Sequence, residues 1–231
     1  MLLYQPQNGY CYNSDSLFLY DFISSFNPKG KVLEVGSGCG VIGLLVARDH
    51  EKVELSAVEK QDEFFFLSKK NAEVNTIKYN ITQGDFLEFD SSTEFEYIIS
   101  NPPFYHDGVT KCENNMIHTA RYNEHLPMGK FFKKVASLLK PKAHFIFCYD
   151  AKQFGEICVE LNSAKLRVVD VQFVHSKADR SASLVLVHAR ANSASLMNIK
   201  EPFITFENDE FSTRVKNIYE KARTHTLKCQ V

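Results

Sequence analysis

Short runs of β-branched and aromatic residues alternate along the chain with longer segments whose apolar positions recur every three to four residues. The short runs at 31–35, 52–59, 79–83, 96–100, 143–149, 167–175 and 183–190 predict strands. The longer ones at 14–26, 41–49, 62–75, 128–139, 151–163 and 211–223 predict helices. Such alternation implies an α/β fold around a mostly parallel sheet. Val32-Leu-Glu-Val and Tyr97-Ile-Ile-Ser are almost unbroken apolar runs, as in strands covered by helices on both faces. The final two strands are separated by the brief polar segment 176–182, too short for a parallel crossover, so the last strand is expected to run antiparallel. No element is predicted between Asn101 and Leu126; a connection that long is more often a functional lid than a plain linker.

Composition narrows the class. With 44% hydrophobic, 24% charged and 13% aromatic residues, the 231-residue chain reads as one globular domain of ordinary build. Charged or amide side chains interrupt every apolar run before the roughly 18 residues that a membrane helix needs. The first dozen residues lack the basic start and long apolar centre of a secretory signal, so a cytoplasmic location is expected. Lys and Arg total 27 against 28 Asp and Glu, so nucleic-acid binding would need local basic patches rather than a global field. The six cysteines (Cys11, Cys39, Cys112, Cys148, Cys158, Cys229) show no repeating spacing and read as free thiols.

Chemistry enters at the end of the first predicted strand. In Glu34-Val-Gly36-Ser-Gly38-Cys-Gly40-Val-Ile-Gly43, four of the ten glycines fall within eight residues. At a strand-to-helix turn, glycines permit the tight bend and let a ligand approach backbone N–H groups. Gly38-x-Gly40-x-x-Gly43 fits a dinucleotide fingerprint, whereas Glu34-x-Gly36-x-Gly38-x-Gly40 fits S-adenosylmethionine-dependent methyltransferases; either way a nucleoside-bearing cofactor is implied. Glu59 ends the next strand about 20 residues on, where a carboxylate accepts from both ribose hydroxyls. Asp85 and Phe86, after the third strand, and Asn101, at the end of the fourth, complete the cofactor set, Asp85 as an acceptor for the adenine amino group or as a plain loop acid.

The fourth strand closes on Ser100-Asn101-Pro102-Pro103-Phe104. Ligands of open α/β sheets bind outside the carboxyl ends of the strands, so this motif and the glycine loop should flank one crevice. Two prolines stiffen the backbone, presenting the Asn101 side chain and the Pro102 carbonyl as fixed acceptors for a substrate amine. An exocyclic or amide nitrogen is a poor nucleophile because its lone pair is delocalised, and acceptors on its hydrogens stabilise the positive charge that develops as it attacks a methyl group. Phe104 would stack on a planar acceptor. Nicotinamide dehydrogenases have no use for such a motif, so the hydride-transfer reading falls behind.

With these residues in place, the sequence resembles the bacterial adenine-N6 methyltransferases that act on valine tRNA beside the anticodon. The likeness is carried by Ile98-Ile-Ser-Asn-Pro-Pro-Phe-Tyr105-His-Asp-Gly108, by Ala120-Arg121-Tyr122, and by Gln5-Pro-Gln-Asn-Gly9-Tyr and Ser14-Asp15-Ser at the front. The resemblance implies a Rossmann-like class I methyltransferase fold, S-adenosylmethionine as cofactor, a tRNA substrate and no metal. It further implies a cofactor-covering segment over residues 1–28, while residues 211–231, with Arg214, Lys216, Lys221, Arg223 and Lys228 against Glu220 alone, read by charge as a basic helix and tail. Asp15 would help hold the methionine end of the cofactor, or cap the first helix. Pro103, Tyr105 and Arg121 would contact substrate, Arg121 through a phosphate or as an anchor for the loop. One departure is that Phe104 stands where this family commonly has Tyr. Asn-Pro-Pro-Phe also occurs in guanine-N2 methyltransferases of ribosomal RNA, and Asn-Pro-Pro-Tyr in glutamine-N5 methyltransferases of release factors. The class is therefore firmer than the acceptor, and a monomer is the favoured state.

Overall fold

Residues 1–9, 11–102 and 126–230 are described by the computed structural model. All seven anticipated strands are present: β2 (Gly30–Val35), β3 (Val53–Glu59), β4 (Asn80–Gln83), β5 (Phe95–Ser100), β6 (Leu139–Asp150), β7 (Leu166–His175) and β8 (Ala182–Ala191). They lie in one sheet, joined at the β7 edge by the short strands β9 (Asn198–Ile199) and β10 (Phe203–Ile204), in the order β10-β7-β8-β6-β5-β2-β3-β4 with β9 also on β7. The run β4-β3-β2-β5-β6 is parallel, and β8 inserts antiparallel between β6 and β7. The connection 176–181 allows nothing else.

Period-two alternation divides the core between the two faces. Val32, Ile99, Ile146, Cys148 and Leu186 pack under α1 (Ser14–Ser24) and α2 (Val41–Asp49). Their neighbours Leu33, Ile98, Phe145, Phe147 and Val187 pack under α4 (Met128–Leu138) and α5 (Phe154–Ser163). Both faces being covered is why these strands are apolar without interruption. Phe131 and Phe132 of α4 stand edge-on or tilted against Phe145 and Phe147, an arrangement that adds roughly 0.5–1.5 kcal/mol per pair beyond area burial. Among the described residues no helix is long and apolar enough to cross a membrane.

The periodicity does not anticipate how the two ends of the chain meet. β1 (Leu2–Pro6) pairs in parallel with β13 (His225–Cys229), and the other edge of β1 is served by α3 (Asp62–Val74). Asn71 accepts from the Tyr4 N–H (2.7 Å) and donates to the Tyr4 carbonyl (3.0 Å). Asn75 does the same at Leu2 (2.9 and 2.7 Å). Two amides one helical turn apart thus imitate a neighbouring strand, and a strand edge that would otherwise be open is satisfied. Between β10 and β13, a hairpin of β11 (Phe206–Glu207) and β12 (Glu210–Phe211) leads into α6 (Thr213–Ala222), capped by Ser212 Oγ accepting from the Val215 N–H. α6 lays Val215, Ile218 and Ala222 into the α1 side of the core.

Candidate active site

The carboxyl ends of β3, β2 and β5 lie side by side, and the sheet order reverses between β2 and β5, the place where open α/β sheets bind ligands. Ser100 Oγ donates to the Val35 carbonyl at 2.8 Å, so Asn101 and Gly36 leave adjacent strands at one level. Gly36, Gly38 and Gly40 take positive φ (67°, 53° and 79°), a conformation that other residues reach only with strain. A Cβ placed on Gly36 or Gly38 would meet nothing within 4 Å, so the face of the turn is open to a ligand. Gly43 is needed for a different reason, since a Cβ there would collide with the Glu34 carboxyl.

Glu34 lies beneath this turn. It is 2% exposed and accepts from the Gly43 N–H at 3.1 Å, while its Oε2 has no partner among the described residues. Burial, opposed by the Gly43 bond and reinforced by nearby Glu59, pushes its carboxyl up to about 8. Its contribution is thus to the underside of the loop. Glu59 has the opposite setting, with each oxygen already oriented by backbone: Oε2 accepts from Gly38 (2.8 Å) and Oε1 from Gln61 (2.9 Å). Burial raises its carboxyl, and those N–H groups hold it back towards the ionised form. Each carboxylate oxygen keeps further acceptor capacity, which matches the two vicinal hydroxyls of a ribose.

Asp15 is in the first turn of α1, yet the cap is Asn13, whose Oδ1 accepts from the Asp15 N–H at 3.1 Å. The capping account of Asp15 is thereby replaced: its carboxylate accepts from Asn13 Nδ2 (2.9 Å) and is raised by burial, a state that a cationic ligand group would relieve. Its charge acts on the buried Cys148, whose thiol is raised chiefly by desolvation. Cys148 in turn donates to Asn101 Oδ1 at 3.0 Å, while Asn101 Nδ2 donates to Ser16 Oγ at 3.4 Å. Asp15, Ser16, Cys148 and Asn101 therefore form one connected group, with Pro102 buried next in the chain. Sequence reasoning missed Cys148 and Ser16. Cys148 carries no motif and is revealed only by the meeting of β6 with the end of β5, and Ser16, within the Ser14-Asp15-Ser segment, by the approach of α1 to Asn101.

Asp85 lies beyond the end of β4, with Oδ1 accepting from the Leu87 N–H (2.9 Å) and Oδ2 paired with Lys60 (2.9 Å). The Phe86 ring is buried against Phe131, centroids 5.6 Å apart, and near Phe89, so it supports the crevice from the α4 side. Pro103, Phe104, Tyr105 and Arg121 lie outside the described residues, as do residues 103–125 of the lid anticipated between Asn101 and Leu126. Among the described residues no cluster of His, Cys, Asp or Glu is placed to hold a metal ion.

Open glycines, an oriented buried carboxylate at β3 and a second carboxylate at α1 fit the adenosine and the amino-acid end of S-adenosylmethionine respectively. Comparison with known proteins points the same way. A tRNA1(Val) (adenine(37)-N6)-methyltransferase of Bacteroides thetaiotaomicron is 30% identical over 125 residues, 53% of this chain and 52% of the relative. One of the same name from Dyadobacter fermentans is 23% identical over 78% of this chain and 75% of the relative. Ribosomal RNA small subunit methyltransferase C of Pasteurella multocida is 29% identical over 62% of this chain. The chain thus spans about half the length of the Bacteroides relative and 42% of the Pasteurella one. Among solved structures, a predicted O-methyltransferase of Agrobacterium tumefaciens superposes with a TM-score of 0.70 at 15% identity, covering 93% of this chain and all of that one. The Thermus thermophilus 16S rRNA N2 G1207 methyltransferase, solved with S-adenosylmethionine and guanosine, gives 0.59 at 20% identity over 80% of this chain and 45% of that one. The model of the methyltransferase small domain matches residues 13–146, which include the glycine loop, Glu59 and Asn101, and the chain belongs to that family of S-adenosylmethionine-dependent methyltransferases.

Proposed function

We propose that the enzyme methylates the N6 amino group of an adenine in tRNA, beside the anticodon of valine tRNA. The observation that carries this reading is Asn101 at the end of β5, its amide fixed between the Cys148 thiol and Ser16 Oγ at the level of the open glycine turn. S-adenosylmethionine, when bound, supplies a methyl group made electrophilic by its sulfonium. The chain's own residues then act on the acceptor. Asn101 Oδ1 keeps a lone pair beyond the one taken by Cys148, and with the Pro102 carbonyl it accepts from the two hydrogens of an exocyclic amine. Those bonds strengthen as nitrogen gains positive charge, so they favour the transition state over the bound amine. Phe104 is the stacking partner of the base, and Pro103, Tyr105 and Arg121 bind substrate, Arg121 through a phosphate. Glu59 fixes the ribose, Asp15 the amino-acid end and Asp85 the adenine amino group, with Gly36, Gly38 and Gly40 leaving room for the cofactor. An adenine inside an RNA must be turned out of its stack to reach such a crevice, which suits an unpaired anticodon loop.

The relatives named for adenine 37 of tRNA1(Val) support the acceptor, and the ribosomal small-subunit relative, with the Thermus structure named for N2 of a guanine in 16S rRNA, supports a second reading, methylation of a guanine N2. The test is incubation of the protein and labelled cofactor with unmodified tRNA, with small-subunit ribosomal RNA and with a release factor, followed by mass spectrometry of the products. N6-methyladenosine in tRNA is expected. N2-methylguanosine in ribosomal RNA would instead install the second reading, and label in release factor would place the acceptor in protein.

A further inference from the structure

The C-terminal hairpin and α6 carry a surface that the chemistry above does not use. Phe206, Phe211 and Tyr219 form a ladder of near-parallel rings, with centroids 5.1 and 5.4 Å apart and planes inclined by 19° and 22°. Phe211 and Tyr219 are each 38% exposed, although stacked rings of this size would ordinarily be buried. Close to Tyr219 in the chain, a concavity is lined by Lys221, Arg223 and His225 together with Arg48 and Asp49. Asp49 is already held by Arg48 and Tyr20, and Arg48 also donates to the Ala222 and Lys221 carbonyls, so the acid of the pocket is neutralised internally. Two of the three acids of the neighbouring hairpin are likewise paired, Glu210 with Lys216 and Asp209 with Lys177, while Glu207 and, on α6, Glu220 have no salt-bridge partner among the described residues. Lys221 lies over the Tyr20 ring, and among the described residues neither it nor Arg223 has a carboxylate partner within salt-bridge distance.

This surface abuts the crevice. Tyr219 Oη and Ser14 Oγ are hydrogen-bonded at 3.0 Å, and Tyr12 Oη and Thr224 Oγ1 at 2.8 Å, so the segment leading to Asp15 is pinned to α6 and to the turn after it. Exposed aromatic rings and cations that lack carboxylate partners are what a single-stranded nucleic acid recognises, with bases on rings and phosphates on Lys and Arg. We propose that this face docks the RNA strand flanking the target nucleotide, a base stacking on the Phe206–Phe211–Tyr219 ladder and a phosphate seated among Lys221, Arg223 and His225. The inference rests on the RNA reading above and names the surface that would serve it.

The test uses full-length protein and an unmodified tRNA transcript, with binding followed by fluorescence anisotropy from 50 to 300 mM salt, a range of roughly the span over which phosphate contacts dominate, and with methylation kinetics in parallel. Phe211→Leu and Tyr219→Leu keep apolar bulk and remove the rings. Each is expected to weaken RNA binding and raise KM for RNA about 5-fold or more, with the salt slope unchanged. Lys221→Gln combined with Arg223→Gln should lower that slope by about one, the share of a single phosphate. Affinity for S-adenosylmethionine, measured by calorimetry, should not move in Phe211→Leu or in the Lys221→Gln, Arg223→Gln double variant, which separates a docking role from misfolding. Wild-type enzyme that methylates RNA while the variants keep its KM and slope would overturn the docking surface alone. Wild-type enzyme that methylates only protein would remove the RNA reading, and the surface with it.

Discussion

At the scale of single residues, the site is a set of acceptors held in place by neighbours that do no chemistry. Asn101→Ala removes an acceptor aimed at charge that forms only in the transition state. We expect kcat to fall by about 100-fold or more, as for loss of one preorganised oxyanion-hole partner, and by more than the loss of cofactor affinity found by calorimetry. A variant that methylated at the wild-type rate would remove Asn101 from catalysis. Cys148 acts one step back, donating to Asn101 Oδ1 from a fully buried position. Cys148→Ala should lower kcat by roughly 2- to 10-fold, the worth of one hydrogen bond, and Cys148→Ser, which keeps a donor, should recover most of it. Equal losses in both variants would mean that the thiol only fills space. Glu59→Ala removes an ionised acceptor pair that also orients Gly38 and Gln61. Cofactor binding should weaken by about 10-fold or more, since hydrogen bonds to charged groups are worth about 1.5–3 kcal/mol, and isothermal titration would detect it.

At the scale of elements, what could be foreseen divides by sequence distance. Strands β2 to β8 follow from local runs, and the antiparallel insertion of β8 follows from a connection too short for anything else. Glu59 and the glycine turn could be placed because their chemistry is written in adjacent residues. The β1–β13 pair could not, because it joins positions more than 220 residues apart and rests on Asn71 and Asn75, two amides that read as ordinary helix polar positions. Cys148 escaped for the same reason. These joins predict a graded response: Asn71→Leu leaves the Tyr4 N–H and carbonyl without partners beside α3, and also releases the Cys39 carbonyl at the glycine turn. Loss of about 1–3 kcal/mol is expected from buried polar groups left unpaired. Hydrogen exchange should show β1 and β13 opening before the central sheet, and uniform protection across both would remove the strand-mimic account.

For the molecule as a whole, two clusters at opposite ends of the sheet titrate with opposite sign. Away from the crevice, His144 Nδ1 and His188 Nε2 are 2.8 Å apart, His188 Nδ1 meets Asp170 at 2.9 Å, and Tyr97 stacks on His144 at 4.5 Å. Burial pushes His144 down to about 4, helped by His188 and Arg190, and lowers His188 as well. A group whose folded pKa is depressed contributes stability above its unfolded pKa, near 6.5, and loses it as pH falls towards 4. Beneath the glycine turn the direction reverses. Glu34, raised from 4.5 to about 8, contributes fully below 4.5 and progressively less as pH climbs through 8. Glu34→Gln keeps an acceptor for the Gly43 N–H and cannot ionise, so it isolates that alkaline limb. Thermal melts of wild type and Glu34→Gln between pH 5 and pH 9, a window spanning roughly the ordinary Glu range and the raised one, should converge or favour wild type at the acid end and favour the variant by several degrees at the alkaline end. A difference in Tm that stayed constant across the range would mean that the buried carboxyl is not the group whose ionisation loosens the cofactor turn.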